Sequence, residues 1–453
     1  MRLVGFLVFA CAVLAAIAWC RAPEYDEAYS IFLTAGHARP AWPGGVFTAG
    51  SVRALYTGHA GFAQIARDLR QGDVHPPLYF WILEIWRGLV GPGWFAARLL
   101  SVLFSLCGLY LLARLAKAAG VPVYPALFLT LLSYGFAYAG IVARGFALAQ
   151  LCDIAGVYLL FLAGAQKRWP FALAAGVAFG AACFTNYLAL FTACAALLWL
   201  LTIRPRLLVA ALAGGLPFMP ASAWFFLAQR HSRIGQFEAF VPGHALALLA
   251  KDLGAALFGG LPLYAGPFFI PVTLALACLL LASLVFAWRR RHPHAGLFAL
   301  LAIAPPCGLF VLGLIFGNTP IEIRYLAFST PYLALLLAPA LPRFLLALML
   351  GTQAAAILGL ALAPATMQPQ AHAARLAAAY PNAVVELPYG NDGVGIPGPF
   401  IAAAPDDMRL ELLHPGAIPQ APAVVVTLAV DNESRAVAAE TGCPWGMALC
   451  RPR

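Results

Sequence analysis

Apolar runs about as long as a bilayer is thick recur along almost the whole chain, and nothing constrains its fold more. Residues 3–20 read LVGFLVFACAVLAAIAWC, without a single charge. A membrane-crossing helix needs about 20 consecutive apolar residues. Backbone at that depth must satisfy its own hydrogen bonds, which an α-helix does. Ten further runs follow, at 95–116, 121–140, 144–164, 169–185, 187–203, 207–227, 266–288, 295–316, 326–341 and 344–363. Composition agrees: 62% of the residues are hydrophobic and 10% charged, too little polar surface for a water-soluble chain of 453 residues. The chain reads as an all-α polytopic membrane protein with about 11 transmembrane helices, outer-face interfacial helices and a small exported C-terminal domain. The first run also suits a signal peptide, but Trp19 beside Cys20 is a poor cleavage context and many spans follow. It is expected to remain as a helix.

Charge gives the orientation. With eleven spans, one side carries Arg2, Arg114, Lys117, Lys167, Arg168, Arg204, Arg206, Arg289, Arg290, Arg291 and Arg343, in short connections without Asp or Glu. An excess of Lys and Arg marks the cytoplasmic side. The N-terminus is then cytoplasmic and the tail exported, as in a multi-pass protein of a bacterial inner membrane. The net charge of +10 is a topology signal. No helix-turn-helix, zinc finger or basic-aromatic surface accompanies it, so no nucleic-acid partner is expected.

The exported side is organised by three long connections. The first, 21–94, contains two candidate surface helices, 59–71 and 76–90. The latter opens with a Pro pair and carries Glu84 and Arg87, and it reads as a helix in the outer interface. The second is 228–265. The third is the tail, 364–453, with strand-like runs AVVEL and AVVVTLAV. Residues 1–363 thus form a membrane domain and 364–453 a small α/β or β-rich cap. Eight of the ten cysteines lie in apolar runs; Cys443 and Cys450 lie in the exported tail and are expected to pair. No Cys/His spacing suggests zinc.

Candidate chemistry gathers at the outer boundary. Asp26 and Glu27 follow the first span directly, in YDEAYS. His75 opens the HPPL turn of the same loop; Arg144 lies at the outer end of the third or fourth span; Arg324 and Tyr325 begin the tenth. An acidic pair beside cationic groups at this depth suits a lipid-phosphate substrate. Arginine's planar fork matches phosphate, and a carboxylate near the reacting bond can serve as general base. Asp153 lies inside a span, two to three helical turns from Arg144, and reads as a structural pairing. Asn186 reads as satisfying helix backbone.

The pieces YDEAYS, DVHPPLYFWILEIWRGLVG, GWFAARLLSVLFSLCGLYLLARLA, YGFAYAGIVARGFALA and IRYLAFSTPYLALLLAPAL, in this order, cover about residues 20–345. Together they resemble the GT-C superfamily of polyprenyl-phosphate-sugar-dependent glycosyltransferases. In particular they resemble the branch of protein O-mannosyltransferases, aminoarabinose transferases acting on lipid A and Rgt-type lipopolysaccharide transferases. The resemblance implies Asp26 as the base that takes the acceptor proton, with Glu27 orienting it. It implies His75, Arg144 and Arg324 around the donor phosphate, with Tyr325 in support. One departure stands out: where relatives often read EARMY around the first arginine, this chain reads VARGF. The implied partners are a polyprenyl-phosphate-sugar donor, the bilayer, and a glycan, lipid or protein acceptor. Transfer would invert the anomeric centre. No cofactor is required, although an Asp26/Glu27 pair also suits Mg²⁺ or Mn²⁺. The rival reading is a lipid or solute transporter or flippase, which would show inverted repeats and broken midplane helices.

Overall fold

The computed structural model describes residues 2–37, 42–233, 237–290, 292–362, 368–390, 393–417, 423–428, 431–442 and 448–450. The chain forms two compact units. The first comprises Met1–Trp19, Asp73–Tyr79 and Arg98–Ala361; the second Cys20–Gly72, Phe80–Ala97 and Leu362–Arg453.

The first unit is helical, and each expected apolar run within it lies in helix. Six helices are long and apolar enough to cross a membrane: Leu3–Cys20, Trp94–Ala119, Phe146–Gln166, Gly266–Arg289, Ala295–Phe316 and Arg343–Leu362. Two bent pairs raise this to eight if each is one span: Val123–Leu131 with Tyr134–Ile141, bent by 63°, and Pro205–Gly215 with Met219–Ser232, bent by 58°. Trp169–Cys183 and Ala189–Ile203 are shorter, and the run at 326–341 reduces to the 3₁₀ turn Ile323–Phe328 followed by Thr330–Leu337. By length and composition, six to eight of these elements can each cross alone, where the run count gives eleven. Breakers make the difference: Ser133 caps a new helix through a bond from Phe136 N, and Gly and Pro residues at 214–220 interrupt another run.

Helix ends follow local chemistry. Ala295–Phe316 stops at Gly317, whose φ of 65° closes a left-handed C-cap that a side chain would strain. Inside, small residues bring backbones together. A Cβ on Gly176 would lie 1.8 Å from Ala211 O, and one on Gly214 would lie 2.0 Å from Leu173 O. Gln353, fully buried, donates to Leu129 O at 3.0 Å and to Leu257 O at 2.7 Å, tying three segments together.

The second unit is built on a five-stranded sheet ordered β1-β3-β2-β4-β5. The strands are β1 (Phe47–Thr48), β2 (Val384–Pro388), β3 (Arg409–Leu413), β4 (Ala423–Val426) and β5 (Leu449–Cys450). β2 pairs in parallel with β3 and β4; β1 and β5 close the edges in antiparallel fashion. The two strand-like runs are β2 and β4. β1 comes from the first loop, so loop and tail fold together. The core joins Ala28, Ile31 and Phe32 of the helix Tyr25–Thr34 to Val385, Phe400 and Ile401 of the tail. Arg53 donates to Ile401 O and Ala404 O at 2.6 Å each and pairs with Asp406. The helix Leu78–Val90 contributes a buried Arg87 to this unit. Arg87 is 1% exposed and donates to Thr34 Oγ1 at 2.7 Å and to Tyr56 O. Cys450 is disulfide-bonded; Cys443, its expected partner, lies outside the described residues.

Candidate active site

In the first unit, the chain before the helix Phe146–Gln166 is pinned from two sides. Ser101 Oγ donates to Val142 O at 2.7 Å, and Arg144 N donates to the same oxygen at 2.8 Å. A Cβ on Gly145 would come within 3.1 Å of Thr185 Cγ2 and 3.4 Å of Tyr79 Cβ. This close approach gives the glycine in VARGF a packing reason.

Arg144, 3% exposed, is thereby aimed at the HPP turn. Its Nη1 lies 3.2 Å from Asp73 Oδ2 and its Nη2 3.3 Å from His75 Nδ1. Asp73 Oδ1 accepts from Val74 N at 2.6 Å and His75 N at 3.0 Å, and lies 2.7 Å from His75 Nδ1. A carboxylate only accepts, so His75 Nδ1 carries the proton in this contact. Burial alone would raise the Asp73 carboxyl. Arg144, His75 and the bonds from His75 and Val74 outweigh it and hold the group well below the ordinary carboxylate range. Gln229 fastens the turn from outside: its Nε2 donates to His75 O at 2.8 Å while its Oε1 accepts from Tyr187 OH at 2.9 Å.

Aromatic contacts continue the site. Phe146 meets His75 edge-on at 6.3 Å and stacks on Tyr325 at 6.4 Å. The Arg324 guanidinium lies 5.5 Å from the Tyr325 ring centre, and its Nε is 2.5 Å from Glu322 Oε2. The structure thus brings His75 and Arg144 into contact and links them through Phe146 to Tyr325 and Arg324.

Asp26 and Glu27 belong to the second unit, in the first turn of Tyr25–Thr34. Both are buried, at 8% and 0% exposure. Glu27 Oε2 accepts from Glu24 N at 2.7 Å, and Glu24 Oε1 lies 2.5 Å from Arg21 Nη2. Glu27 is engaged in capping its own helix, which leaves the pair a poor fit for a divalent ion needing two open carboxylates. Among the described residues, no three His, Cys, Asp or Glu side chains gather as a metal site.

Several site residues were not singled out from sequence. Asp73 was legible, since an Asp two positions before His and ahead of Pro-Pro is an Asx-turn signal. Phe146, Gln229, Tyr187 and Glu322 carry no such local mark. Asn186 Oδ1 accepts from Leu188 N at 3.0 Å, the backbone role expected of it.

Comparison with known proteins finds a family model matching about a third of the chain and solved structures of similar fold. Residues 74–227 match the family model for dolichyl-phosphate-mannose-protein mannosyltransferases. ArnT from Cupriavidus metallidurans, solved bound to undecaprenyl phosphate, superposes with a TM-score of 0.52 at 13% identity, over 99% of this chain and 96% of that one. Its apo structure gives a TM-score of 0.51 at 14% identity, over 92% and 86%. Arabinofuranosyltransferase AftD from Mycobacteria gives 0.46 at 16% identity, over 90% of this chain and 31% of that one. No curated protein matches by sequence.

Proposed function

We propose that the protein is an integral-membrane glycosyltransferase moving a sugar from a polyprenyl-phosphate donor to an acceptor at the outer membrane face. The observation that carries this reading is the buried Asp73–His75–Arg144 group. The Arg144 guanidinium and the His75 imidazole converge on one carboxylate, and this group rich in N–H donors suits the oxygens of a phosphodiester. Arg324 and Tyr325 extend it. An apolar groove of ≈ 410 Å³ supports a lipid chain nearby: Leu246, Leu249, Leu253, Ile303, Pro306 and Phe310 line it, and Leu249 shares a packed cluster with Tyr325.

In this reading the acceptor oxygen forms a bond to the anomeric carbon as the bond to the phosphate oxygen breaks. The electron pair leaves on the polyprenyl phosphate, where the cations stabilise the added charge. Asp26 takes the acceptor proton, and the anomeric centre inverts. Glu27 holds the helix that presents Asp26. No cofactor is needed. The eleven-span topology, a cytoplasmic N-terminus and an exported tail in a bacterial inner membrane complete the proposal.

Purified protein should transfer labelled sugar from a polyprenyl-phosphate donor. Asp26→Asn should lower turnover by about 10²–10⁴-fold, the usual contribution of a general base, while donor binding stays unchanged. Near-normal turnover in folded Asp26→Asn protein removes the carboxylate from the mechanism. The two bent helix pairs keep a transporter as the second reading. Substrate counterflow in proteoliposomes, without sugar transfer, would select it.

A further inference from the structure

We propose that Gln150, Asp153 and Tyr332 are positioning residues that set Arg324 and Tyr325 for the lipid phosphate, with the helix Phe146–Gln166 as a shared spine. The proposal rests on the donor-site reading above and goes beyond it.

Residues 146, 150 and 153 are spaced by four and three, so they share one helix face. Each grips the same stretch of chain. Phe146 stacks on Tyr325 at 6.4 Å. Gln150 Nε2, on a side chain 2% exposed, donates to Ala327 O at 2.7 Å. Asp153 Oδ2 accepts from Tyr332 OH at 2.8 Å, both residues being buried. The gripped stretch is the six-residue 3₁₀ turn Ile323–Phe328 and the start of Thr330–Leu337. A 3₁₀ turn this short has poor internal hydrogen bonding and takes its place from its surroundings. A third wall closes the box: a Cβ on Gly135 would lie 2.9 Å from both Ala327 Cα and Thr330 Cγ2.

The same helix begins two residues after Arg144, which is held by Asp73. One rigid element therefore fixes Arg144 at its start and, by polar contacts one and two turns further on, fixes the segment bearing Arg324. Polar groups at this depth are costly unless bonded. Asp153 uses one oxygen on Tyr332, and its Oδ1 has no partner among the described residues. What the arrangement needs at 153 is an acceptor of that shape, which an asparagine carbonyl also supplies.

The test uses full-length protein in detergent micelles, with undecaprenyl phosphate as the binding probe and melting temperature recorded for each variant. Tyr332→Phe and Gln150→Leu should each weaken binding roughly three- to thirtyfold, the range of coupled neighbours. Asp153→Asn should bind as wild type. The decisive reading is a double-mutant cycle. In an Arg324→Ala background, Tyr332→Phe and Gln150→Leu should cost clearly less than they do alone, because one of the two groups they position is gone. Losses that add in full to that of Arg324→Ala, or wild-type binding by the folded single variants, overturn the positioning role. So does Asp153→Asn protein that loses binding, because the charge itself would then be needed. Either of the Tyr332 and Gln150 variants suffices if the other does not fold. Wild-type protein that binds no undecaprenyl phosphate defeats the donor-site reading and this inference with it; wild-type binding with unshifted variants defeats this inference alone.

Discussion

Asp73 is the residue on which the group with His75 and Arg144 turns. It is buried, and its two oxygens serve two backbone N–H groups, an imidazole and a guanidinium. Removing one member of a buried charged pair costs about 3–5 kcal/mol, because the other is left uncompensated. Asp73→Asn keeps the turn acceptor and removes the charge, so it should melt below wild type. The pH dependence follows from the direction of the shift. A carboxyl depressed in the folded state stabilises fully above its unfolded value and loses that contribution as pH falls through the folded one. The gap between wild type and Asp73→Asn should be constant above about pH 5 and shrink below about pH 4, where the unfolded carboxyl begins to bind protons. A gap that grows on acidification would contradict the assignment. Arg144→Ala should weaken donor binding roughly 10- to 100-fold, the worth of a charge-assisted bond of about 1.5–3 kcal/mol. Unchanged binding in a titration with undecaprenyl phosphate would remove Arg144 from the phosphate site. His75, Arg144, Arg324 and Tyr325 were all readable from short motifs, because each sits in a recognisable string. Phe146 and Gln229 were not, since their roles depend on partners tens of residues away.

At the scale of elements, close helix crossing does what hydrophobicity cannot do between lipid-exposed helices. Trp169–Cys183 and Pro205–Gly215 meet at Gly176 and Gly214, with no room for a Cβ at either. Gly176→Val should push the pair apart and abolish monodisperse, folded protein on size-exclusion chromatography. Gly254→Ala is the control. Nothing lies within 4 Å of a Cβ there, on the helix Pro242–Leu257, and alanine favours a helix by about 0.8–1 kcal/mol over glycine. Normal elution and melting of Gly176→Val would show that the crossing yields at small cost. The apolar runs were legible because lipid forces one answer on a long uncharged segment. Their divisions were harder to read. Ser133 and the Gly/Pro stretch at 214–220 interrupt runs without changing their hydrophobicity, so a count by runs exceeds the helices long enough to cross alone. The bonds of Arg87 left no mark in the sequence, because its partners Thr34 and Tyr56 lie far back in the chain.

At the scale of the whole chain, the tail and the first loop are one folded object. Two of the tail's strands, β2 and β4, were legible as β-branched runs; β3 reads RLELL, without a β-branched residue, and the edge strands β1 and β5 span two residues each, too short to leave a pattern. The pairing of β1 with β3 joins residues 47 and 48 to 410 and 409. Other bonds follow the same seam. Ala49 N donates to Met408 O at 3.0 Å, Gly50 N to Asp406 O at 2.9 Å, and Trp42 Nε1 to Gly393 O at 2.6 Å. The helix carrying Asp26 joins this core through Ala28, Ile31 and Phe32, and a Cβ on Gly398 would sit 3.2 Å from Ala28 Cβ. Burying one large apolar side chain is worth about 1.5–3 kcal/mol, so losing Phe400, Ile401 and Val385 together would strip that helix of its support. A chain truncated after Leu362 should keep the helices of the first unit. It should lose hydrogen-exchange protection over residues 25–57, and sugar transfer should fall with it. The comparison that separates this from a tail needed only for acceptor capture is exchange measured on the truncated protein in micelles. If residues 25–57 stay protected while transfer is lost, the tail acts on the acceptor and not on the fold around Asp26.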